Sequence, residues 1–219
     1  MELSPLLAYE TGVHLGDGNL TYNTWNLNRI TYAGNSVEDY DFFVNLLPKI
    51  VEKLFNKSPK IYFPKNEKTV LVVLNSKKVA EFKMQLGLPS GNKNQIKSFP
   101  KELVERFPAF ILRGLADTDF TVNFRDLDHD GIKEHPRICA SFSNAYFVEE
   151  ISNILNKLEI TFAKRELITH EKYHEYRIEI EGKKRLKRWI DLIGFSNKKH
   201  IHKINNYFDN SVTQRLDFW

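Results

Sequence analysis

"YETGVHLGDGN", residues 9–19, and "FILRGLADTDF", residues 110–120, are two versions of one phrase. Each has a glycine, a small residue four positions on, and then an aspartate: Gly12, Gly16 and Asp17 in the first copy, Gly114, Thr118 and Asp119 in the second. The two aspartates stand 102 positions apart in a chain of 219 residues. A phrase that returns after about half the chain marks an internal repeat, so the sequence reads as one unit written twice. The joint falls near "PSGNKNQIKSFPKEL" (89–103), rich in Pro, Gly, Asn and Lys. The expected units are 1–99 and 100–219.

Outward from each phrase the periodicity changes in the same order. Ser4 and Pro5 suit the N-cap and first turn of a helix that runs to about Leu15. After Asp17-Gly18 the pattern alternates, with Leu20 and Tyr22 on one side and Asn19, Thr21 and Asn23 on the other. "NRITYAGN" (28–35) reads as the returning strand. "VEDYDFFVNLLPKIVEKLF" (37–55) reads as an amphipathic helix with a bend at Pro48. A hairpin over 59–76 and a helix over 77–88 complete the unit. In the second half Pro108 opens the phrase helix, and Phe120, Val122 and Phe124 alternate with Thr121, Asn123 and Arg125. "RICASFS" returns with Ile138, Ala140 and Phe142 on one face and Arg137, Cys139 and Ser141 on the other. A helix over 145–160, a hairpin from 161–168 and 173–182, and a helix over 183–195 follow. The expected fold is α+β: two pseudo-symmetric αββαββα halves with antiparallel sheets.

Bulk composition narrows the class. Hydrophobic residues make up 42% and charged residues 27%, a globular composition. No apolar run approaches the ~18–20 residues that span a bilayer, and "MELSPLLAYE" lacks the basic start and cleavage site of a signal peptide. No membrane partner is expected. A single cysteine, Cys139, rules out an intrachain disulfide framework and cysteine-cluster zinc sites, and fits an intracellular, reducing compartment such as cytoplasm or organelle matrix. A net charge of +4 and a pI of about 9.0 are compatible with a polyanionic partner without requiring one.

The glycines explain the aspartates. Residues four apart share a helix face, so Gly12 with Gly16, and Gly114 with Thr118, make smooth grooves. Glycine inside a helix costs ~1 kcal/mol relative to alanine. Close approach of a second helix backbone offsets that cost, and the simplest partner is the other phrase helix across a pseudo-twofold axis. Packed in parallel, the two helices bring their C-terminal ends, and therefore Asp17 and Asp119, together. A helix C-terminus disfavours an acid, and two adjacent acids raise each other's pKa. A hard divalent cation between them reconciles the arrangement; Mg²⁺ takes oxygen ligands and keeps several waters. The plainer reading is that each aspartate merely ends a helix, which matching positions in both halves make a poor account. Asp117 is assigned to the helix end or a local hydrogen bond.

These residues resemble the LAGLIDADG homing endonucleases in their single-chain, two-motif form. "TGVHLGDGN" and "RGLADTDF" are similar to that family's signature helix, and the element order of each half is also the family's. The resemblance implies a monomer whose paired motif helices hold two sheets as a DNA-binding saddle. It implies metal-dependent cleavage of a long, asymmetric double-stranded site with short 3′ overhangs. The metal ligands then fall on Asp17 and Asp119, with Gly16 and Thr118 beside them. Mg²⁺ is the expected ion, with Mn²⁺ substituting and Ca²⁺ supporting binding without cleavage. The family's basic residue after the last helix of each half falls on Lys93 in the first half and on Lys198 or Lys199 in the second. His14, Leu15, Thr118 and Phe120 depart from the usual motif, but both acids remain.

Strands lying in the major groove can read base edges. The expected readers are Asn19, Thr21, Asn23 and Arg29 in the first half and Thr121, Asn123, Arg125 and Arg137 in the second, joined by Lys164 or Arg165 and by Arg177. Lys183, Lys184, Arg185, Lys187 and Arg188 are candidates for phosphate contacts or a solvated helix face. "DLDHDG" (126–131) starts like a calcium loop but has Arg137 where a bidentate Glu belongs, so it reads as an acidic hairpin tip. "HIH" (200–202) lacks further ligands for a metal. Two alternative readings on the same scaffold are an intron maturase that binds its host RNA and a DNA-binding regulator without cleavage.

Overall fold

The structure, a computed structural model, describes residues 2–23, 28–126, 135–169 and 173–208. Most of the acidic run (127–131) and the C-terminal "RLDFW" lie outside the described residues. The first half contains α1 (Pro5–Asp17), β1 (Gly18–Tyr22), β2 (Asn28–Asn35), α2 (Leu47–Phe55), β3 (Lys60–Tyr62), β4 (Thr69–Asn75) and α3 (Lys77–Gln85). The second contains α4 (Lys101–Arg106), α5 (Pro108–Asp119), β5 (Thr121–Arg125), β6 (His135–Phe142), α6 (Ala145–Lys157), β7 (Ala163–Thr169), β8 (Tyr173–Glu181), α7 (Lys183–Leu192) and α8 (Lys198–Tyr207). The repeat is explicit in the sheets. Their orders are β1-β2-β4-β3 and β5-β6-β8-β7, with every pairing antiparallel.

Local chemistry sets the element ends. The Ser4 hydroxyl accepts the Leu7 N–H at 3.2 Å and caps α1 ahead of Pro5. The motif helix runs two residues beyond the expected Leu15 and ends on the acid itself. Instead of a simple bend at Pro48, the helix widens into a π turn over Phe42–Leu46 just before it. Proline has no N–H to donate and its ring crowds the carbonyl four residues back, so the extra width relieves both problems. Two helices were not expected. α4 occupies the end of the linker, and α8 follows α7 after a short turn.

The centre of the molecule is the contact between α1 and α5, and its geometry is reciprocal. A Cβ on Gly12 would lie 2.0 Å from the Ile111 carbonyl oxygen and 2.8 Å from the Leu115 nitrogen. A Cβ on Gly114 would lie 2.0 Å from the Tyr9 carbonyl oxygen and 2.8 Å from the Val13 nitrogen. Ile111 and Leu115 occupy the same repeat positions as Tyr9 and Val13, so the pseudo-twofold passes between the helices. Around this contact lie two apolar cores. Tyr9 and Val13 pack with Leu20, Ile30, Val70 and Leu74 in the first half. Leu7, Ala8 and Leu15 of the same helix pack with the second half's core, together with Leu88, Ile96 and Phe99 from the linker. α1 therefore serves both halves, and the linker is anchored rather than loose.

Gly114→Ala is expected to destabilise the protein by about 3 kcal/mol, because its methyl must enter the Tyr9 carbonyl rather than a yielding side chain. Thermal unfolding should show both halves lost together. An unchanged melting temperature would contradict the close backbone contact.

Candidate metal centre and nucleic-acid interface

The same close approach positions the acids. One turn past Gly12, a Cβ on Gly16 would lie 2.0 Å from the Thr118 hydroxyl and 3.2 Å from the Asp119 carboxyl carbon. Asp17 and Asp119 are the last residues of α1 and α5, so the two half-buried carboxyls stand on neighbouring helix ends. Burial, reinforced by the charge of Asp119, pushes the Asp17 pKa up to about 7; Lys93 opposes the shift, Asp39 adds to it and Lys199 opposes it. Burial also raises Asp119, to about 6, with Lys93 and Lys199 pulling it down.

Two lysines lie close enough to act on this pair electrostatically. Lys93 comes from the linker, and its ammonium donates to the Leu15 carbonyl at 3.2 Å and to the Gly16 carbonyl. Burial lowers its pKa, while Asp119 and Asp17 raise it. Lys199 lies in the first turn of α8 and pairs with Asp39 at 2.7 Å. Lys198 points elsewhere: it pairs with Asp41 at 3.1 Å and its side chain is 59% exposed, against 22% for Lys199. Adjacent helical residues project in different directions, so one of the two is turned away from the acids. A cavity of about 130 Å³ opens beside Asp119 and Lys93, lined also by Asn94, Ser143 and Asn144.

The donor set suits a hard cation. Among the described residues no cluster of three or more His, Cys, Asp or Glu could hold a metal. A cation at the helix ends would draw on two carboxylates, backbone carbonyl oxygens and water, an all-oxygen set that suits Mg²⁺. The Thr118 hydroxyl is committed to the Leu115 carbonyl at 2.8 Å, and the Gly16 carbonyl already accepts from Lys93. Both positions keep oxygen lone pairs for a cation: the Thr118 hydroxyl acts there as a donor, and the Gly16 carbonyl has a second lone pair.

Asp117 has a different task. Its carboxylate accepts the Tyr9 hydroxyl at 2.6 Å, the Ser196 N–H at 2.9 and 3.0 Å, and the Asn197 N–H at 2.9 Å. Burial pushes its pKa up to about 6, and these donors hold it down. It thus ties α1, α5 and the turn before α8 together. The sequence reading missed Asn197 and Asp39. Asn197 had a legible signal, an N-cap residue ahead of a helical run; Asp39, in the turn after β2, had none.

The strand faces divide as the alternation predicts. Asn19, Thr21 and Arg29 share the face of the first sheet opposite Leu20 and Ile30, and Asn23 lies one residue past β1. Arg29 is oriented by a 3.2 Å bond to Asn75. In the second sheet Thr121, Asn123, Arg125, Arg137, Arg165 and Arg177 share the face opposite Ile138 and Ile178. These arginines are paired with glutamates of β8. Arg125 meets Glu181, Arg137 and Arg165 both meet Glu179 at 3.0 Å, and Arg177 meets Glu175 at 2.9 Å. "YRIEIE" carried this alternation in the sequence, but only the register places the acids opposite the arginines. Lys164 is a correction. It lies across from the buried Ile178, on the helix-covered face, and pairs with Glu149 of α6 at 2.8 Å. In α7, Lys187 pairs with Asp191 at 3.0 Å and Arg188 with Glu159 at 3.4 Å, so both belong to the helical layer. Arg185 donates to the Glu181 carbonyl at 3.0 Å, and Lys183 sits 5.8 Å from the Tyr207 ring centre.

Solved structures share this architecture. The homing endonuclease I-DmoI in complex with DNA and Ca is similar at a TM-score of 0.61 with 17% identity, over 93% of this chain and 100% of that one. The fold is that of the LAGLIDADG homing endonucleases. I-DmoI in complex with DNA and Mn matches at a TM-score of 0.59 with 19% identity, over 88% and 98% of the two chains. The I-LtrWI LAGLIDADG homing endonuclease bound to target DNA matches at 0.59 with 12% identity, over 95% and 90%. No protein-family model and no curated protein matches the sequence. Among the described residues, no helix is long and apolar enough to cross a membrane.

The raised carboxyl pKa values have a consequence in the LAGLIDADG fold that is independent of cleavage. Between pH ~4 and ~7 the folded protein holds more protons on these acids than the unfolded chain does, so metal-free stability falls as pH rises through that window. Asp17→Asn should therefore stabilise the metal-free protein at pH 8, by roughly 1–3 kcal/mol, and flatten the decline between pH ~4 and ~7. Thermal melts in chelator decide the matter; destabilisation by Asp17→Asn at pH 8 would refute the assignment.

Proposed function

We propose that the protein is a monomeric, metal-dependent endonuclease that cuts double-stranded DNA at a long asymmetric site and leaves short 3′ overhangs. The observation that carries this reading is the pair of half-buried carboxyls at the neighbouring ends of α1 and α5, with a lysine from each half near them. The fold is shared with nucleases solved on their DNA. Residues 1–99 and 100–219 are proposed as the two duplicated units, each supplying one acid and one lysine.

A bound Mg²⁺ supplies Lewis acidity that lowers the pKa of water and neutralises charge on the phosphate and leaving oxygen. Asp17 and Asp119 would hold it, through their ionised forms. Lys93 and Lys199 place ammonium groups where phosphate charge develops in the transition state. Their fixed positions limit reorganisation during the reaction. The open sheet faces supply recognition. Arg125, Arg137, Arg165 and Arg177 can donate to guanine, while Asn19 and Asn123 suit adenine. Because the two halves present different side chains, the preferred site is asymmetric.

The test is a cleavage selection on a randomised duplex library in Mg²⁺, with the broken ends sequenced. Wild type should yield discrete ends with a common flanking sequence. Asp119→Asn should yield none while retaining affinity for the selected duplex in Ca²⁺. Cleavage at full rate by Asp119→Asn would overturn the metal assignment, and sequence-specific binding without breaks by wild type would overturn the nuclease reading.

A further inference from the structure

We propose that Asp39 is a positioning residue for Lys199: it holds the ammonium beside the paired acids and keeps it off them. The inference rests on the endonuclease reading above. Asp39 belongs to the first half and Lys199 to the second, so the contact crosses between the repeats. Asp39 is 7% exposed, and its backbone is fixed at both ends. Its N–H donates to the Asn35 carbonyl at 3.1 Å, and its carbonyl accepts from Phe43 N–H at 3.0 Å. One carboxylate oxygen accepts both the Lys199 ammonium and the Asn197 side-chain amide, each at 2.7 Å.

Asn197 is itself immobilised. Its backbone N–H is held by the Asp117 carboxylate at 2.9 Å, its amide also reaches the Asp117 carbonyl at 3.0 Å, and its side-chain oxygen caps Lys199 N–H at 3.2 Å. A line of hydrogen bonds therefore runs from Tyr9 through Asp117 and Asn197 to Asp39 and Lys199. The buried Asp117 fixes this line without touching the metal centre.

The need for a tether follows from charge. Lysine carries a compact charge on a flexible stem, and the two half-buried carboxylates attract it. An ammonium seated directly on Asp17 or Asp119 would occupy oxygens that a bound cation would require. Asp39 offers a competing carboxylate at a fixed distance. Lys93 is restrained toward the same end by different acceptors, the carbonyls of Leu15 and Gly16. Each lysine is thus near the acids and bonded to something else.

The test uses the full chain and two readouts. Asp39→Asn keeps an oxygen for Asn197, so the fold is retained. Ca²⁺ affinity, measured by calorimetry, should weaken about 10-fold in Asp39→Asn and return to within about twofold of wild type in Asp39→Asn/Lys199→Met. Asp41→Asn removes the same charge two residues on, from the partner of Lys198, and should leave Ca²⁺ affinity unchanged. On the selected duplex, Asp39→Asn should slow cleavage about 10- to 100-fold at saturating enzyme with unaltered DNA affinity, and Asp39→Glu should recover part of the rate. Unchanged Ca²⁺ affinity in Asp39→Asn overturns the proposal, as does equal weakening by Asp41→Asn or a double variant as weak as the single one. A wild type that binds Ca²⁺ but cuts no DNA defeats the endonuclease reading alone, because the calcium isotherms still decide the role of Asp39.

Discussion

The structure depends on how closely two helix backbones approach. Gly12 and Gly114 each face a carbonyl oxygen of the opposite helix at a distance no side chain permits. That contact joins the halves, divides α1 between two cores and abuts the helix ends. The acids are costly where they stand, being half-buried, close together and at the negative poles of two helices. A fold optimised for stability alone would place neither there, and their presence is the physical argument for a cationic ligand.

The repeat is symmetric in its backbone and asymmetric in its polar interior. In the first half Glu10 is buried with Lys83 at 2.7 and 2.8 Å and accepts the Tyr32 hydroxyl. The repeat position of Glu10 in α5 is Leu112, an apolar core residue. The second half instead buries Asp117, whose counterpart in α1 is Leu15. Removing one member of such a buried set leaves a charge uncompensated, so each network fixes its half to the motif helix by its own chemistry. The sheet faces diverge similarly. The second carries an alternating lattice of arginines and glutamates that holds guanidinium groups in place before any ligand arrives.

Much of this was legible in the sequence because it follows from periodicity. The duplicated phrase gave the paired helices, and the alternation after each acid separated Leu20 from Asn19 and Thr21, and Val122 from Thr121 and Asn123. What stayed hidden depends on long-range register. Nothing near Lys164 reveals that it faces α6. Lys198 and Lys199 are indistinguishable until α8 exists to turn one away. Asp39 meets Lys199 only after both halves have folded, and the glutamates of β8 meet the arginines only through strand pairing. α4 and α8 were missed because they are short and lie within polar segments that read as linker and tail.

The most direct measurement is Mn²⁺ binding followed by electron paramagnetic resonance, with duplex DNA present, for wild type, Asp17→Asn and Asp119→Asn. If the abutting helix ends form one shared cation site, wild type binds Mn²⁺ and each single substitution removes or strongly weakens that binding. Mn²⁺ bound equally well by both variants would contradict the account at its centre, since the close approach of α1 and α5 would then bring two acids together for no metal at all.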